Sequence, residues 1–173
     1  LQPFADALKL VVKEQIIPAQ SNKALFFLAP MISLVFSLLG WATIPFGSGM
    51  AITDISLGML FSLAVSSIGV YGALFAGWAA NSKYAFLGSL RSTAQMVSYE
   101  LIFSTCVAAV ILLAGSLNFT TIVEAQTSIW FIVPLFPLFI MYLISALAEL
   151  NRTPFDLPEA ESELVSGFMT EHS

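Results

Sequence analysis

The chain alternates between long apolar blocks and short polar ones. Four apolar runs fall at about residues 24–46, 55–80, 94–115 and 128–148. Each has the roughly 20 residues that a helix needs to cross about 30 Å of hydrocarbon. Residues 1–17 follow a different pattern. Leu1, Phe4, Leu8, Val11 and Val12 recur at helical spacing, while Asp6, Lys9 and Lys13 fall on another face. That spacing predicts an amphipathic helix lying in the membrane interface, its apolar side in lipid or against other helices. A surface helix of a soluble domain would show the same pattern, so composition has to decide. Pro18 and the polar AQSNK ending at Lys23 close the helix off.

The runs differ in texture. The first carries Pro30 near its start and Pro45 near its end. The second is rich in Gly and Ser, including Gly69, Gly72 and Gly77, and small residues of that sort let helices approach closely. The third carries Glu100, and the fourth carries Pro134 and Pro137, which predict a kink. Trp41, Trp78 and Trp130 fall near run ends, as an aromatic belt requires. Composition agrees with spanning. The 173 residues are 58% hydrophobic and 10% charged, against about 25% charged in a soluble domain. An all-α membrane protein with four transmembrane helices is the expected fold, as a single membrane domain. No internal repeat or low-complexity segment breaks it.

Charge placement fixes the orientation. With four spans, residues 1–23, 81–93 and 149–173 share one side, and residues 47–54 and 116–127 the other. Lys9, Lys13, Lys23, Lys83, Arg91 and Arg152, which are all of the chain's basic residues, lie on the first side. The second side has only Asp54 and Glu124. The positive-inside rule then makes the first side cytoplasmic or mitochondrial-matrix. The net charge of −5 and the lack of a basic stripe exclude a nucleic-acid footprint.

Candidate chemistry is acidic. Glu100 should lie about 9 Å below the interface, six residues into its span, where an ionised carboxylate must be paired, hydrated or protonated. Glu149 should sit at the foot of the next span on the same side. Together they could form a proton or cation path; a structural salt bridge from Glu100 to Arg91 or Lys83 is the alternative. Lys83 and Arg91 bracket an expected short polar helix between the second and third spans, and as basic anchors they need no further role. Beyond the last span, Glu149, Arg152, Asp156, Glu159, Glu161 and Glu163 fall within fifteen positions and make up six of the chain's seventeen charged residues. Asp156 and Glu159 with Pro158 between them read as a capping box. Adding Glu161 and Glu163 suggests carboxylates that raise one another's pKa and store protons, although a solvated acidic loop fits too.

Other chemistries find no motif. Cys106 is the lone cysteine, within an apolar run, and reads as a small buried hydrophobe. No metal-ligand spacing, Gly-rich phosphate loop or nucleophile elbow occurs. No signal peptide is visible, and a chain that opens at Leu1 reads as one whose start is missing or as a piece of a longer protein.

The stretch ELNRTPFDLPEAESELVSGF, with LQPFADALKLVVKE at residues 1–14 and NSKYAFLGSLRSTAQMVSYE at residues 81–100, resembles the core membrane subunit of respiratory complex I. The closing GFMTEHS is similar to fungal mitochondrial members. Gln15, Leu150 and Ala160 stand where Pro, Thr and Gly are usual, and none of these departures removes a charged position. Members have about eight spans of membrane-crossing length, which implies one before Leu1 and three after Ser173. The resemblance implies a subunit of a proton-translocating NADH:ubiquinone reductase, multi-pass in the mitochondrial inner membrane, or in the plasma membrane of a bacterium. It further implies ubiquinone as substrate, with FMN and iron–sulfur clusters held by partner subunits and no cofactor or metal bound by this chain. Phe4, Asp6, Lys9 and Lys13 would lie near the quinone entrance. Arg152, Asp156, Glu159, Glu161 and Glu163 would line the quinone chamber and face peripheral-arm subunits. Glu149 and Glu100 would begin a carboxylate path towards antiporter-like subunits, with Lys83 and Arg91 beside it on the matrix side. The homologous membrane subunit of a membrane-bound hydrogenase or formate hydrogenlyase, a stand-alone ion transporter and a structural scaffold are the rival readings.

Overall fold

A computed structural model describes residues 2–13, 17–47, 49–151 and 154–155. The described residues are all helical or looped. Helix α1 covers Gln2–Val12, α2 Lys23–Gly40, α3 Gly58–Ala79, α4 Lys83–Ala114, α5 Phe119–Glu124 and α6 Phe136–Glu149. Among them α2 with its terminal 3₁₀ turn, α3 and α4 are long and apolar enough to cross a membrane, and α6 is a shorter apolar helix. The side chains of Phe4, Leu8, Val11 and Val12 on α1 are exposed, so its apolar face has no cover among the described residues.

α3 is the central element because its small residues let backbones meet. A Cβ at Gly72 would collide with the Ser33 side chain and lie 3.2 Å from the Ala29 carbonyl of α2. At Gly77 it would strike Ser89 and lie 2.8 Å from the Ala85 carbonyl of α4. Lipid tails give apolar side chains little reason to leave them, so this close packing holds the bundle together.

The alternating topology expected from the charges appears in the loops. At one end Asn22 N–H donates to the Ala79 carbonyl (3.1 Å), and the Asn81 amide to the Gln20 carbonyl (3.3 Å). At the other end Thr53 N–H donates to Ala42 (3.0 Å), Met59 N–H to Leu117 (3.0 Å), and the Asn118 amide to Asp54 (2.6 Å). Trp41, Trp78 and Trp130 are all exposed, as lipid-interface residues must be.

Two expectations change. Residues 83–93 do not form a separate polar helix. They are the opening turns of α4, a single 32-residue helix about 48 Å long. No proline interrupts it, and it stops only at Gly115, whose left-handed φ of 66° ends it with an N–H bond to Ile111 (2.8 Å). The fourth run also differs, since its helix begins at Phe136, after turns at 131–135. Pro134 and Pro137 supply no N–H to a helical ladder, so the expected kink becomes a helix start, with proline in the first turn of α6. Fourteen residues reach only about 21 Å.

Replacing Gly77 by Val should push α3 from α4 and destabilise the bundle by roughly 1–3 kcal/mol. A lower thermal midpoint of the purified assembly, with a smaller loss for Gly69→Val, which faces more open space, is the expected measurement.

Candidate functional site

Consecutive residues on an α-helix point about 100° apart, so Ser66 and Ser67 of α3 address two different neighbours. Ser66 Oγ donates to Glu149 Oε1 at 2.9 Å, which ties α3 to the end of α6. Ser67 Oγ donates to Glu100 Oε1 on α4. It also lies 3.1 Å from the Leu63 carbonyl one turn back. Two carboxylates from two helices are therefore held by adjacent hydroxyls of a third. Both carboxylates are half-buried, and no ion pair to either is seen among the described residues.

Glu149 lies deeper than expected. Ser66 is thirteen residues from the Ala79 end of α3, or about 20 Å along the axis. Its partner Glu149 is therefore near the middle of the bundle rather than at the foot of a span. α6 is short, and α4 supplies hydrogen bonds at its C-terminus. Gln95, 5% exposed, donates through Nε2 to the carbonyls of Ala148 and Phe155, both at 2.7 Å. Asn151, in a left-handed turn (φ 48°), donates to Ser92 Oγ at 3.1 Å. Tyr99 packs on Phe155 with ring centroids 5.6 Å apart. Gln95 Oε1, Asn151 Oδ1 and Thr93 Oγ1 are buried acceptors with no partner among the described residues.

The salt-bridge alternative for Glu100 does not survive the continuity of α4. Lys83 is seventeen residues away on the same helix, about 25 Å along the axis. Arg91 is nine residues away, about 13 Å along and half a turn round, so it faces the opposite side. Both side chains are exposed near the basic end of the bundle. The other candidates divide. Phe4, Asp6 and Lys9 are exposed on α1, as is Lys13 just past its end. Arg152, Asp156, Glu159, Glu161 and Glu163 lie outside the described residues.

Two cavities lie within the bundle. One of about 290 Å³ between α2 and α3 is lined by Ser33, Ser37, Ser62 and Ser66. The other, about 690 Å³ and almost wholly apolar, lies among α3, α4 and α6 with Phe103, Cys106 and Tyr142 in its wall. The Phe103 and Tyr142 rings meet there, tilted by 31° with centroids 4.8 Å apart. Cys106 is 4% exposed, a small buried hydrophobe as expected. Among the described residues no cluster of His, Cys, Asp and Glu could hold a metal. Sequence reasoning missed Ser66, Ser67 and Gln95. Their signal was the presence of hydrogen-bonding side chains within a turn or two of mid-span, beside an intramembrane glutamate.

Among the described residues, an all-helical bundle with helices long and apolar enough to cross a membrane and two carboxylates from different helices near its centre defines a membrane-protein fold. The particular family follows from comparison: residues 1–173 match the family described as NADH dehydrogenase, and the chain belongs to it. It is 73% identical over its whole length to NADH-ubiquinone oxidoreductase chain 1 of Mycosarcoma maydis, covering 52% of that protein. It is 62% identical to the chain 1 of Trichophyton rubrum, covering 50%. Against the corresponding bacterial protein, a subunit of the NADH-quinone oxidoreductase of Rhodospirillum centenum, it is 59% identical, covering 52%. The chain thus spans about half the length of the curated relatives it matches.

Substituting Gln95 by Leu removes the donor shared by Ala148 and Phe155, leaving the Phe155 carbonyl without this partner and the Ala148 carbonyl with only the Asn151 N–H (3.2 Å), at a cost of about 1–3 kcal/mol. Hydrogen exchange at residues 148–151 should accelerate by at least about tenfold, whereas exchange in α2 should be unchanged.

Proposed function

We propose that this chain belongs to the membrane arm of an NADH:ubiquinone oxidoreductase, where it forms part of the ubiquinone chamber and couples quinone reduction to proton translocation. The names of its relatives support the quinone and the NADH-linked chemistry over the hydrogenase alternative. One observation carries the coupling role. Glu149 and Glu100 come from different helices, lie at mid-depth, and are linked through adjacent hydroxyls of α3. A carboxylate at that depth is costly without a cation beside it, and a proton is the counter-charge best able to come and go.

In this reading ubiquinone enters from the bilayer beside α1, whose exposed Phe4, Leu8, Val11 and Val12 suit a lipid-facing position. Arg152, Asp156, Glu159, Glu161 and Glu163 line the chamber and face peripheral-arm subunits that hold FMN and iron–sulfur clusters. Reduction of the quinone changes the charge of that acidic stretch. The change passes through Glu149 to Glu100 and on to antiporter-like subunits of the membrane arm. Lys83 and Arg91 anchor the matrix side of α4 beside this path. The mitochondrial inner membrane is the setting that the fungal relatives favour.

Glu100→Gln and Glu149→Gln in the assembled complex should each lower quinone-coupled proton pumping by at least about tenfold. Electron transfer from NADH to a water-soluble artificial acceptor should stay at wild-type rates. Full pumping in both variants overturns the path.

A further inference from the structure

Ser67 differs from its neighbour Ser66 in one respect. Ser66 Oγ has Glu149 as its acceptor at 2.9 Å and no second acceptor among the described residues. Ser67 Oγ has two acceptors within reach, Glu100 Oε1 and the Leu63 carbonyl oxygen at 3.1 Å. A serine hydroxyl carries one hydrogen and can donate to only one of them at a time, while its oxygen can accept from another donor. The Leu63 carbonyl already receives the helical N–H of residue 67, and its second lone pair is the usual target of a serine one turn on. Both positions of the hydroxyl hydrogen therefore have a ready acceptor.

We propose that Ser67 is a two-position hydrogen-bond switch that follows the protonation state of Glu100. When Glu100 is ionised, Ser67 O–H donates to its Oε1. When Glu100 gains a proton, the new carboxyl O–H donates to Ser67 Oγ, and the serine hydrogen turns to the Leu63 carbonyl. The serine stays neutral throughout, and the only proton transferred is the one that Glu100 receives. Each carboxyl state keeps one hydrogen bond to Ser67, so neither is stranded in apolar surroundings. Ser67 is in this sense a positioning residue: it equalises the environments of two charge states through the orientation of one hydroxyl. Ser66 has no second acceptor of this kind among the described residues, so the two neighbours differ in what they offer their carboxylates.

This inference rests on the reading of Glu149 and Glu100 as a proton path, and the experiment separates the two. Infrared difference spectra of the intact complex, taken across a pH change, report the carboxyl C=O stretch of protonated Glu100, assigned by its loss in Glu100→Gln. In Ser67→Ala that band should move to higher wavenumber because its hydrogen-bond partner is gone, and pumping should fall roughly tenfold, the equivalent of one charge-assisted hydrogen bond. Ser67→Thr keeps the hydroxyl and should restore both, while Ser66→Ala should leave the Glu100 band in place. An unshifted band in Ser67→Ala, or no protonated Glu100 band at any accessible pH, overturns the switch. If Glu100→Gln pumps normally, the path reading fails, and the band position still decides the switch.

Discussion

Backbone contact along α3 is the constraint on which the rest of the bundle depends. Gly72 admits the Ala29 carbonyl and the Ser33 side chain on one side, and Gly77 admits the Ala85 carbonyl and Ser89 on another. At this spacing the helices are close enough for a short serine hydroxyl to reach a side chain on the next element. Lengthen the α3–α4 gap by a methyl group and Ser67 would fall short of Glu100. The polar site is therefore a product of small-residue packing as much as of the charged residues themselves.

The shortness of α6 has the opposite character, since it brings a helix terminus inward instead of closing one off. Pro134 and Pro137 delay the start of the helix, and it ends at Glu149 after fourteen residues. A helix end leaves carbonyls without intrahelical partners, and Gln95 donates to that of Ala148 and, beyond the helix, to that of Phe155. Asn151 then turns the chain with a left-handed φ of 48° and binds Ser92. Glu149 reaches mid-depth because these contacts make an internal helix end tolerable.

Much of this was legible in the sequence. The apolar runs marked the long helices and the one-sided placement of Lys and Arg marked which loops share an end, because bilayer thickness and charge bias act on local composition. Glu100 stood out for the same reason. Its hydroxyl partner did not, because a serine in an apolar run reads equally well as a small packing residue. The depth of Glu149 was misplaced because the register of α6 against α3 is a tertiary quantity that no local period encodes. Residues 83–93 looked like a loop helix because their polarity marks a water boundary, yet polarity alone does not end a helix, and no proline stands there. The acidic stretch from Arg152 to Glu163 lies outside the described residues, so its role stays a reading of sequence and kinship.

α4 joins the basic surface of the bundle to its buried centre in one uninterrupted rod. Lys83 and Arg91 ride on its first turns, Gln95 grips the end of α6, and Glu100 binds Ser67 further along. With no hinge between them, these four side chains cannot be repositioned independently. A tilt imposed on the surface turns must move the central carboxylate relative to its hydroxyl partner on α3. The helix thus ties the basic end of the bundle directly to the carboxylate near its centre.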